Sequence, residues 1–475
     1  MLDVVQKVTG RSYLLYLLPS IVQGLASIAV VPLITFYLNP VDFGVYALII
    51  ALAIPVRSLA ASGASWVIGG NYFKSSDYER RILLFNVLLV EFIFRGTLIL
   101  LLFAMAEPIL RWVVLDYHPD YLHYLRLVLV ATLAGSMWPT ISFFLSVHNN
   151  PRLFMLLSLV QTFTNIITTA ICLVEFHLGV ESLFVAMLLS SSVSFVFELL
   201  YVKKYVSFSL KGKWMREIFS TGFRATPGSI AEMVSNMSDR LAIERLVGLG
   251  ALGIYSHSQQ YLSIFKMVTG ALSSTLMADS LRIYSKHLDT SPIVRLLQLW
   301  YGILACVGVF IALFSDNTIA WLTHDKFSEA APLVQVWFLW VFSVSHGIPY
   351  ASFLMAQKKS QILMYTQLFP TLLGIGFVVL GTYLFGVYGA AWALVLTNVV
   401  IQLARWIIAK RLGYCAFFGW RFAEASLVYV SLCLVSNLVT LRVSTEVVIC
   451  IITLSLIMIK YDLIGELKYV LAKGR

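Results

Sequence analysis

Phe43-Gly44-Val45-Tyr46 opens one long apolar segment of this chain, and Leu252-Gly253-Ile254-Tyr255 opens another, 209 residues later. Further landmarks recur at nearly the same offset: Pro19 with Pro227, Phe144-Leu145 with Phe353-Leu354, and Gly179-Val180 with Gly386-Val387. Separate landmarks that agree to within a residue or two indicate an internal repeat. The chain is therefore predicted to hold two copies of one structural unit.

The composition places both copies in a membrane. The 475 residues are 59% hydrophobic and only 12% charged, with a mean hydropathy of +0.85, whereas soluble domains carry about 25% charged residues. The apolar runs approach the ~20 residues that a helix needs to cross the hydrocarbon core. The predicted spans are 13–37, 43–65, 82–104, 122–147, 153–175, 182–203, 217–238, 251–278, 293–314, 331–356, 361–384, 388–410, 421–440 and 446–461.

The repeat and the spans together predict the architecture. The fold is predicted to be an all-α integral membrane protein with about fourteen transmembrane helices, in which two six-helix lobes form a pseudo-two-fold 6+6 repeat. Six is an even number, so both lobes insert with the same orientation. The predicted parts are an N-lobe at 1–203, a basic cytoplasmic linker at 204–216, a C-lobe at 217–411, and two additional helices with a cytoplasmic tail at 412–475.

The distribution of Lys and Arg sets the orientation. If the N-terminus is inside, the inner loops and the tail hold most of these residues and the outer segments hold few, which is the arrangement that cytoplasmic loops favour. Both termini are then cytoplasmic. The net charge is +10, and the basic residues that produce it alternate with the spans along the chain. This distribution suggests anchoring to anionic membrane lipids and argues against nucleic-acid binding.

The loops between the spans indicate a transporter more than an enzyme. No loop is long enough to hold a set of catalytic acids, bases or metal ligands, so no catalytic and no metal-binding residue is predicted. A Walker-A loop is also missing, which argues against ATP hydrolysis by this chain. Two similar six-helix lobes are typical of secondary transporters, which bind substrate between the lobes near the bilayer midplane.

Four basic residues lie well inside predicted spans, where an ionisable group costs at least ~2.5–3.5 kcal/mol and usually faces a partner or a wet cavity. Arg57 and Lys266 are 209 residues apart, so they occupy equivalent positions in the two copies. One cation from each lobe would suit an anionic headgroup such as a phosphate or pyrophosphate. The alternative is that each side chain reaches the interface or pairs with a nearby acid.

The other two interior cations have their own alternatives. Arg95 follows Glu91 by one helical turn, so the two can form a structural pair, or Arg95 can join the substrate site. Arg224 lies near the cytoplasmic end of its span, where it can reach headgroups or line the cavity. Glu232 shares roughly the face of Arg224 and is the candidate carboxylate for coupling transport to H+ or Na+. No other cofactor is predicted.

Prolines interrupt several of the spans. Pro19 and Pro227 are equivalent in the two copies and lie in the first helix of each lobe. A proline removes one intrahelical hydrogen bond and can bend the helix. Bending at this pair can gate the cavity, or it can simply shape how the helices pack.

Several short motifs carry a resemblance to a known family. They are Leu38-Asn39-Pro40-Val41-Asp42-Phe43-Gly44-Val45-Tyr46, Pro227 followed by Asp239-Arg240, Gly253-Ile254-Tyr255-Ser256, and Gly386-Val387-Tyr388-Gly389-Ala390-Ala391. In this order and spacing the chain resembles the polysaccharide-transport, or O-antigen-flippase, branch of the multidrug/oligosaccharidyl-lipid/polysaccharide (MOP) exporter superfamily.

The resemblance implies a function. It implies a protein of the bacterial cytoplasmic (inner) membrane that flips undecaprenyl-pyrophosphate-linked oligosaccharide repeat units of O-antigen, capsule or exopolysaccharide to the outer leaflet. Transport would proceed by alternating access on an ion gradient, without enzyme activity, and possible partners include a polysaccharide polymerase. The cations expected to hold the pyrophosphate then match Arg57 and Lys266.

Two other functions stay open. A multidrug antiporter of the same superfamily would share the architecture but would favour a net-acidic cavity for organic cations, whereas the interior cations of this chain outnumber its interior acids. A membrane component of polysaccharide assembly that transports nothing is the third reading.

Overall fold

Helix accounts for nearly all of the backbone that the structure describes. The computed structural model describes residues 10–60, 67–68, 71–72, 75–148, 150–262, 269, 291–357, 359–413, 420–438 and 443–460. Within these ranges no residue is in a strand. The chain divides into two compact units, residues 1–256 and residues 257–475.

The helices of the first unit begin at recognisable sequence signals. Ser76 accepts a hydrogen bond from the backbone N–H of Glu79, which is the Ser-x-x-Glu spacing typical of a helix start. Asn150 caps another helix, in which Pro151 occupies the first turn and needs no hydrogen-bond acceptor. The helices are α1 (Gly10–Ala29), α2 (Val31–Tyr37), α3 (Pro40–Ala60), α4 (Asp77–Val113), α5 (Asp120–Ala134), α6 (Trp138–Val147), α7 (Pro151–Val174), α8 (Glu181–Val202), α9 (Gly212–Leu246) and α10 (Leu249–Gln260), which ends just beyond the boundary of the unit.

The second unit contains α11 (Ser291–Thr323), α12 (Ala330–Ala356), α13 (Ser360–Arg411), α14 (Trp420–Leu438) and α15 (Val443–Lys460). The long α13 is interrupted at Gly386, whose φ of 60° and ψ of −141° are not helical. This interruption separates the predicted spans 361–384 and 388–410. Helices α14 and α15 both pack against α11, and the buried Tyr429 of α14 donates a hydrogen bond of 2.8 Å to the carbonyl oxygen of Gln335.

Length and composition make many of these helices suitable for a bilayer. Within the described residues seven helical segments are long and apolar enough to span it: α4, α5 together with α6, α7, α8, α11, α12 and α13. Shorter apolar helices cover 21–37, 40–56, 426–436 and 445–458. Large apolar side chains such as Trp112 and Trp321 are each 78% exposed, as expected where lipid is the solvent. The predicted all-α integral membrane class is confirmed.

Two of the predicted spans are interrupted in the structure. Span 122–147 breaks at residues 135–137, where α5 ends and α6 begins with Pro139 in its first turn. Span 13–37 breaks at Val30, with Pro32 in the first turn of α2. A proline ring lacks an N–H and crowds the preceding turn, so each interruption falls two residues before a proline. In contrast, α1 continues through Pro19, which is buried.

The break at 135–137 is held by two charged side chains of α4. Arg95 donates a hydrogen bond of 2.5 Å from Nη1 to the carbonyl oxygen of Ser136. One turn earlier, the Glu91 carboxylate accepts a hydrogen bond of 2.6 Å from the Thr140 hydroxyl. Both charged residues are only 3% exposed. A backbone carbonyl at a helix break needs a partner in lipid, and Arg95 supplies it. This geometry fits the structural interpretation of Arg95 and Glu91.

We expect Arg95→Met to destabilise the protein. The substitution leaves the buried Ser136 carbonyl oxygen without this donor, and an unsatisfied buried polar group costs about 1–3 kcal/mol. Thermal unfolding of the purified protein in lipid nanodiscs measures the effect as a lowered Tm.

Arg111→Met is the matched control, because Arg111 lies on the same helix and pairs with Glu107 at an exposed position. Exposed pairs contribute about 0–1 kcal/mol, so its Tm should stay near that of the wild type. Equal Tm values for the two variants would contradict a structural role of Arg95.

Candidate functional site

The predicted substrate-binding pair is described only in part. Arg57 lies in α3, two residues after Pro55, and its side chain is outside the described residues. Lys266 lies wholly outside them, six residues after the end of α10. A shared pyrophosphate site for this pair stays a prediction.

The helices that carry the other predicted residues pack against one another in the first unit. Arg57 belongs to α3, Arg95 to α4, and Arg224 and Glu232 to α9. Helix α9 packs along α3 and also against α4, and α3 packs against α4. The fold therefore gathers these three helices, although the side chains of Arg57, Arg224 and Glu232 lie outside the described residues. Pro227 lies in α9 as well, and its role in gating stays a prediction.

The two ends of the first unit differ in charge. The basic end comprises the described residues within 71–81, 147–152 and 203–213, of which seven are Lys or Arg and two are Asp or Glu. The opposite end comprises residues 37–44, 111–121, 175–181 and 245–253. Contacts within each set confirm that its members lie together, for example Tyr72 with His148 at the basic end and the Tyr37 ring with the His177 ring at the opposite end.

Helix α9 is fastened at both ends of the first unit. At the basic end, Trp214 is buried in a hydrophobic core, and the Asn71 amide donates a hydrogen bond of 2.7 Å to Glu217. At the opposite end, the Glu244 carboxylate accepts a hydrogen bond of 3.1 Å from the Leu115 backbone N–H. The neighbouring Arg245 donates to the Trp112 carbonyl oxygen. These contacts fix the position of α9 along its axis relative to the other helices of the first unit. They explain why α9 belongs to this unit.

The loops at the basic end meet around a histidine. The His148 ring stacks on Phe144, makes an edge contact with Tyr205, and hydrogen-bonds through Nδ1 to the Tyr72 hydroxyl at 2.5 Å. Partial burial of the ring, assisted by the nearby Arg80, lowers the pKa of His148 below its ordinary value. The neutral ring is therefore favoured, with Tyr72 as the donor. This contact ties the α3–α4 connection to the α6–α7 connection.

At the opposite end, α3 and α10 touch through their backbones. A Cβ added to Gly44 would collide with the carbonyl oxygen of Leu249, and a Cβ added to Gly253 would collide with the carbonyl oxygen of Pro40. Only glycine permits such a close approach, and small residues are common where membrane helices meet.

The two contacts are reciprocal in the internal repeat. Gly253 follows Gly44 by 209 residues, and Leu249 follows Pro40 by the same 209 residues. Each glycine therefore packs on the residue equivalent to the one that the other glycine contacts. A local two-fold axis produces this reciprocity, as in symmetric dimers. The repeat thus has a direct structural consequence, and it brings equivalent segments of the chain face to face.

Hydrogen bonds from α9 support this contact. Asp239, which is buried, accepts a hydrogen bond of 2.8 Å from the Tyr255 hydroxyl. It also accepts one of 2.8 Å from the backbone N–H of Arg240. The sequence motifs Asp239-Arg240 and Gly253-Ile254-Tyr255 are therefore parts of one cluster. Together with Gly44, this cluster joins α3, α9 and α10 at the opposite end of the first unit.

Sequence reasoning singled out these motifs as landmarks without predicting that they meet. The available signal was the presence of glycine at the same place in both copies, next to a helix start. A glycine that recurs in this way indicates a close approach of two backbones. The contact itself depends on how α3, α9 and α10 pack.

We expect Gly44→Ala to loosen the contact between α3 and α10. The test is a disulfide between Val41→Cys and Gly250→Cys, because a Cβ on Gly250 would lie 3.7 Å from Val41 Cγ2. In a background without the native cysteines, Gly44→Ala should reduce cross-linking about tenfold, since disulfides tolerate little deviation in geometry.

The control is Gly96→Ala on α4, where an added Cβ meets nothing within 4 Å. Cross-linking should proceed in that variant as in the parent protein. If Gly44→Ala cross-links as readily as Gly96→Ala, the glycine contact does not hold α3 against α10.

Solved structures with the same fold are transporters and flippases. The lipid II flippase MurJ, in an inward closed conformation, has a TM-score of 0.71 and 12% sequence identity, covering 97% of this chain and 100% of its own. A MOP superfamily transporter from Pyrococcus furiosus has a TM-score of 0.60 and 15% identity, covering 87% and 96%. A MATE transporter from Vibrio cholerae has a TM-score of 0.57 and 16% identity, covering 85% and 96%. These likenesses establish a shared fold.

The sequence itself also places the chain in a family. No curated protein matches it significantly. A family model described as polysaccharide biosynthesis protein matches residues 10–277, which is more than half of the chain. This match and the structural likenesses confirm the resemblance to the MOP superfamily. The chain is a multi-pass membrane protein of the polysaccharide biosynthesis protein family.

Proposed function

We propose that the protein is a flippase for undecaprenyl-pyrophosphate-linked oligosaccharide repeat units, such as those of O-antigen, capsule or exopolysaccharide. The observation that supports this proposal is the structural likeness of nearly the whole chain to a lipid II flippase. The chain is also a member of a polysaccharide biosynthesis family. The protein acts as a secondary transporter and not as an enzyme. It moves the lipid-linked units from the cytoplasmic to the outer leaflet by alternating access.

The contact between Gly44 and Leu249 supports alternating access. It closes the opposite end of the first unit, while the basic end carries the Lys and Arg residues that attract anionic lipids. In the proposed orientation the basic end faces the cytoplasm of a bacterium, both termini are cytoplasmic, and the protein lies in the inner membrane. Substrate enters at the basic end, where lipid-linked units are assembled.

The interior cations provide the chemistry for the proposed substrate. Arg57 and Lys266 bind the pyrophosphate, because a guanidinium offers a bidentate fork to phosphate oxygens. Arg224 and Arg95 contribute to the same positive potential from α9 and α4. Glu232 couples the cycle to H+ or Na+. Bending at Pro19 and Pro227 opens and closes the cavity. A polysaccharide polymerase at the outer face receives the delivered unit.

The structural likeness to MATE transporters leaves a second candidate function open. A multidrug antiporter of the same superfamily would export organic cations, and the Vibrio cholerae structure shares the fold over most of this chain. The interior cations Arg57, Arg224 and Lys266 disfavour this function, because they repel a cationic substrate. A component of polysaccharide assembly that transports nothing is the remaining alternative.

The deciding experiment is leaflet-resolved detection of lipid-linked oligosaccharide in cells that lack the protein. The flippase predicts complete repeat units that are still lipid-linked and face the cytoplasm, and the wild-type gene restores them to the outer face. Normal delivery together with a gain in sensitivity to lipophilic cations supports the antiporter instead. Normal delivery with unchanged sensitivity supports an assembly role.

We expect the double variant Arg57→Ala/Lys266→Ala to lose transport while it inserts and folds normally. Each substitution removes charge-assisted hydrogen bonds of about 1.5–3 kcal/mol, so delivery to the outer leaflet should fall at least ~tenfold. Complementation of the deletion strain measures it, with protein levels determined in the membrane fraction.

Arg152→Ala is the control, because Arg152 is an exposed cation at the basic end of α7. It should complement fully. Wild-type transport in the double variant would overturn the proposed pyrophosphate site.

A further inference from the structure

A cavity of about 300 Å³ opens in the first unit between α4, α6 and α8. It extends toward the basic end, where the segment after α8 borders it. Almost all of its lining is aromatic or aliphatic. The lining residues are Phe85, Leu88, Leu89, Phe92, Met137, Ile141, Glu198, Leu199, Val202, Lys203, Val206 and Phe208.

Glu198 is the exception in this apolar lining. The residue is only 1% exposed, and neither carboxyl oxygen has a hydrogen-bond partner among the described residues. The other deeply buried glutamate of this region, Glu91, accepts a hydrogen bond from Thr140. Burying an ionised carboxylate without a partner is very unfavourable, so this conformation accommodates Glu198 as the neutral acid.

The charges around Glu198 leave it isolated. Among the described residues, Lys203 is the only other charged side chain that lines the cavity, and it is exposed. The titratable groups on helices packed against α8 do not line the cavity. They include Glu91 and Arg95 on α4, Asp120, Tyr121, His123, Tyr124 and Arg126 on α5, and Arg152 and Cys172 on α7. Tyr205, which follows α8, contacts His148 instead.

The side chains around Glu198 limit which ligand its carboxyl group can bind. A metal cation needs several oxygen ligands, and the described lining of the cavity offers one carboxyl group among apolar side chains. A phosphate would be repelled by an ionised carboxylate. A proton requires one carboxyl group and no further ligand.

We propose that Glu198 is a proton-binding site of the transport cycle. In the conformation described, Glu198 is buried in the cavity as the neutral acid. In a conformation that admits water from the basic end, the acid releases its proton to that water, and Lys203 stabilises the carboxylate. The site itself follows from the cavity and the isolated carboxyl group. Its use in transport rests on the proposed function.

The first test is labelling with dicyclohexylcarbodiimide, an apolar reagent that modifies protonated carboxyl groups within membranes. The full-length protein in lipid nanodiscs is treated across a range of pH, and the modified peptides are identified by mass spectrometry. Glu198 should be labelled at neutral pH, and labelling should fall at least tenfold as the pH rises. Glu198→Gln should abolish the modification of this peptide.

Glu107 is the internal control, because it is an exposed carboxylate paired with Arg111 and should stay unlabelled. The proposal fails if Glu198 reacts no more than Glu107. It also fails if labelling of Glu198 does not change with pH, because the group is then a permanently neutral acid.

The second test measures transport driven by an imposed proton gradient. The proton gradient should stimulate transport equally in the wild type and in Glu107→Gln. In Glu198→Gln the stimulation should be at least tenfold smaller, while the thermal stability is unchanged. Full stimulation in Glu198→Gln, or none in the wild type, overturns the coupling role. If the substrate is not a lipid-linked oligosaccharide, the proposed function fails, and the labelling experiment still decides the site.

Discussion

In hydrocarbon, a backbone N–H or C=O group without a partner costs several kcal/mol, so a membrane chain must satisfy these groups within itself. Unbroken helices meet this requirement without help. Within the predicted spans, the described part of this chain departs from them at Val30 and at residues 135–137. At residues 135–137 the departure is stabilised from another helix, because Arg95 reaches across from α4 to the carbonyl oxygen of Ser136. A charged side chain within the membrane thus satisfies a backbone carbonyl group.

The same requirement separates the buried charges into two kinds. Glu91, Asp239 and Glu244 each accept a hydrogen bond from a separate segment of the chain, and these contacts explain their positions. Glu198 accepts none from the described residues. A buried polar group without a partner needs an explanation, and binding a proton is the explanation that its apolar cavity allows.

The contact between α3 and α10 connects architecture with function. Two glycines at equivalent places in the repeat let the two helix starts touch, and α9 supports them through Asp239. A contact that depends on backbone approach is rigid while it is formed and is lost when the helices separate. This property suits the closed end of the alternating-access transporter proposed above, and the contact joins two segments that are equivalent at the offset of 209 residues.

Local patterns in the sequence determined the fold class. The lengths of the apolar runs predicted the membrane helices, the offset of 209 residues predicted the repeat, and the short motifs indicated the superfamily. These properties depend on composition and on spacing along the chain, so they can be recognised without a structure. The same is true of the interior cations, because a charge within an apolar run is conspicuous.

Tertiary structure decided which groups meet. Ser136 lies 41 residues from Arg95, and no periodicity connects them. Gly44 and Gly253 were visible as equivalent landmarks, but their reciprocal contact depends on the packing of α3 against α10. Glu198 was not predicted at all, because a glutamate near the end of an apolar run resembles an ordinary interfacial residue. Its burial depends on side chains from α4 and α6, and burial is a property of neighbours in space.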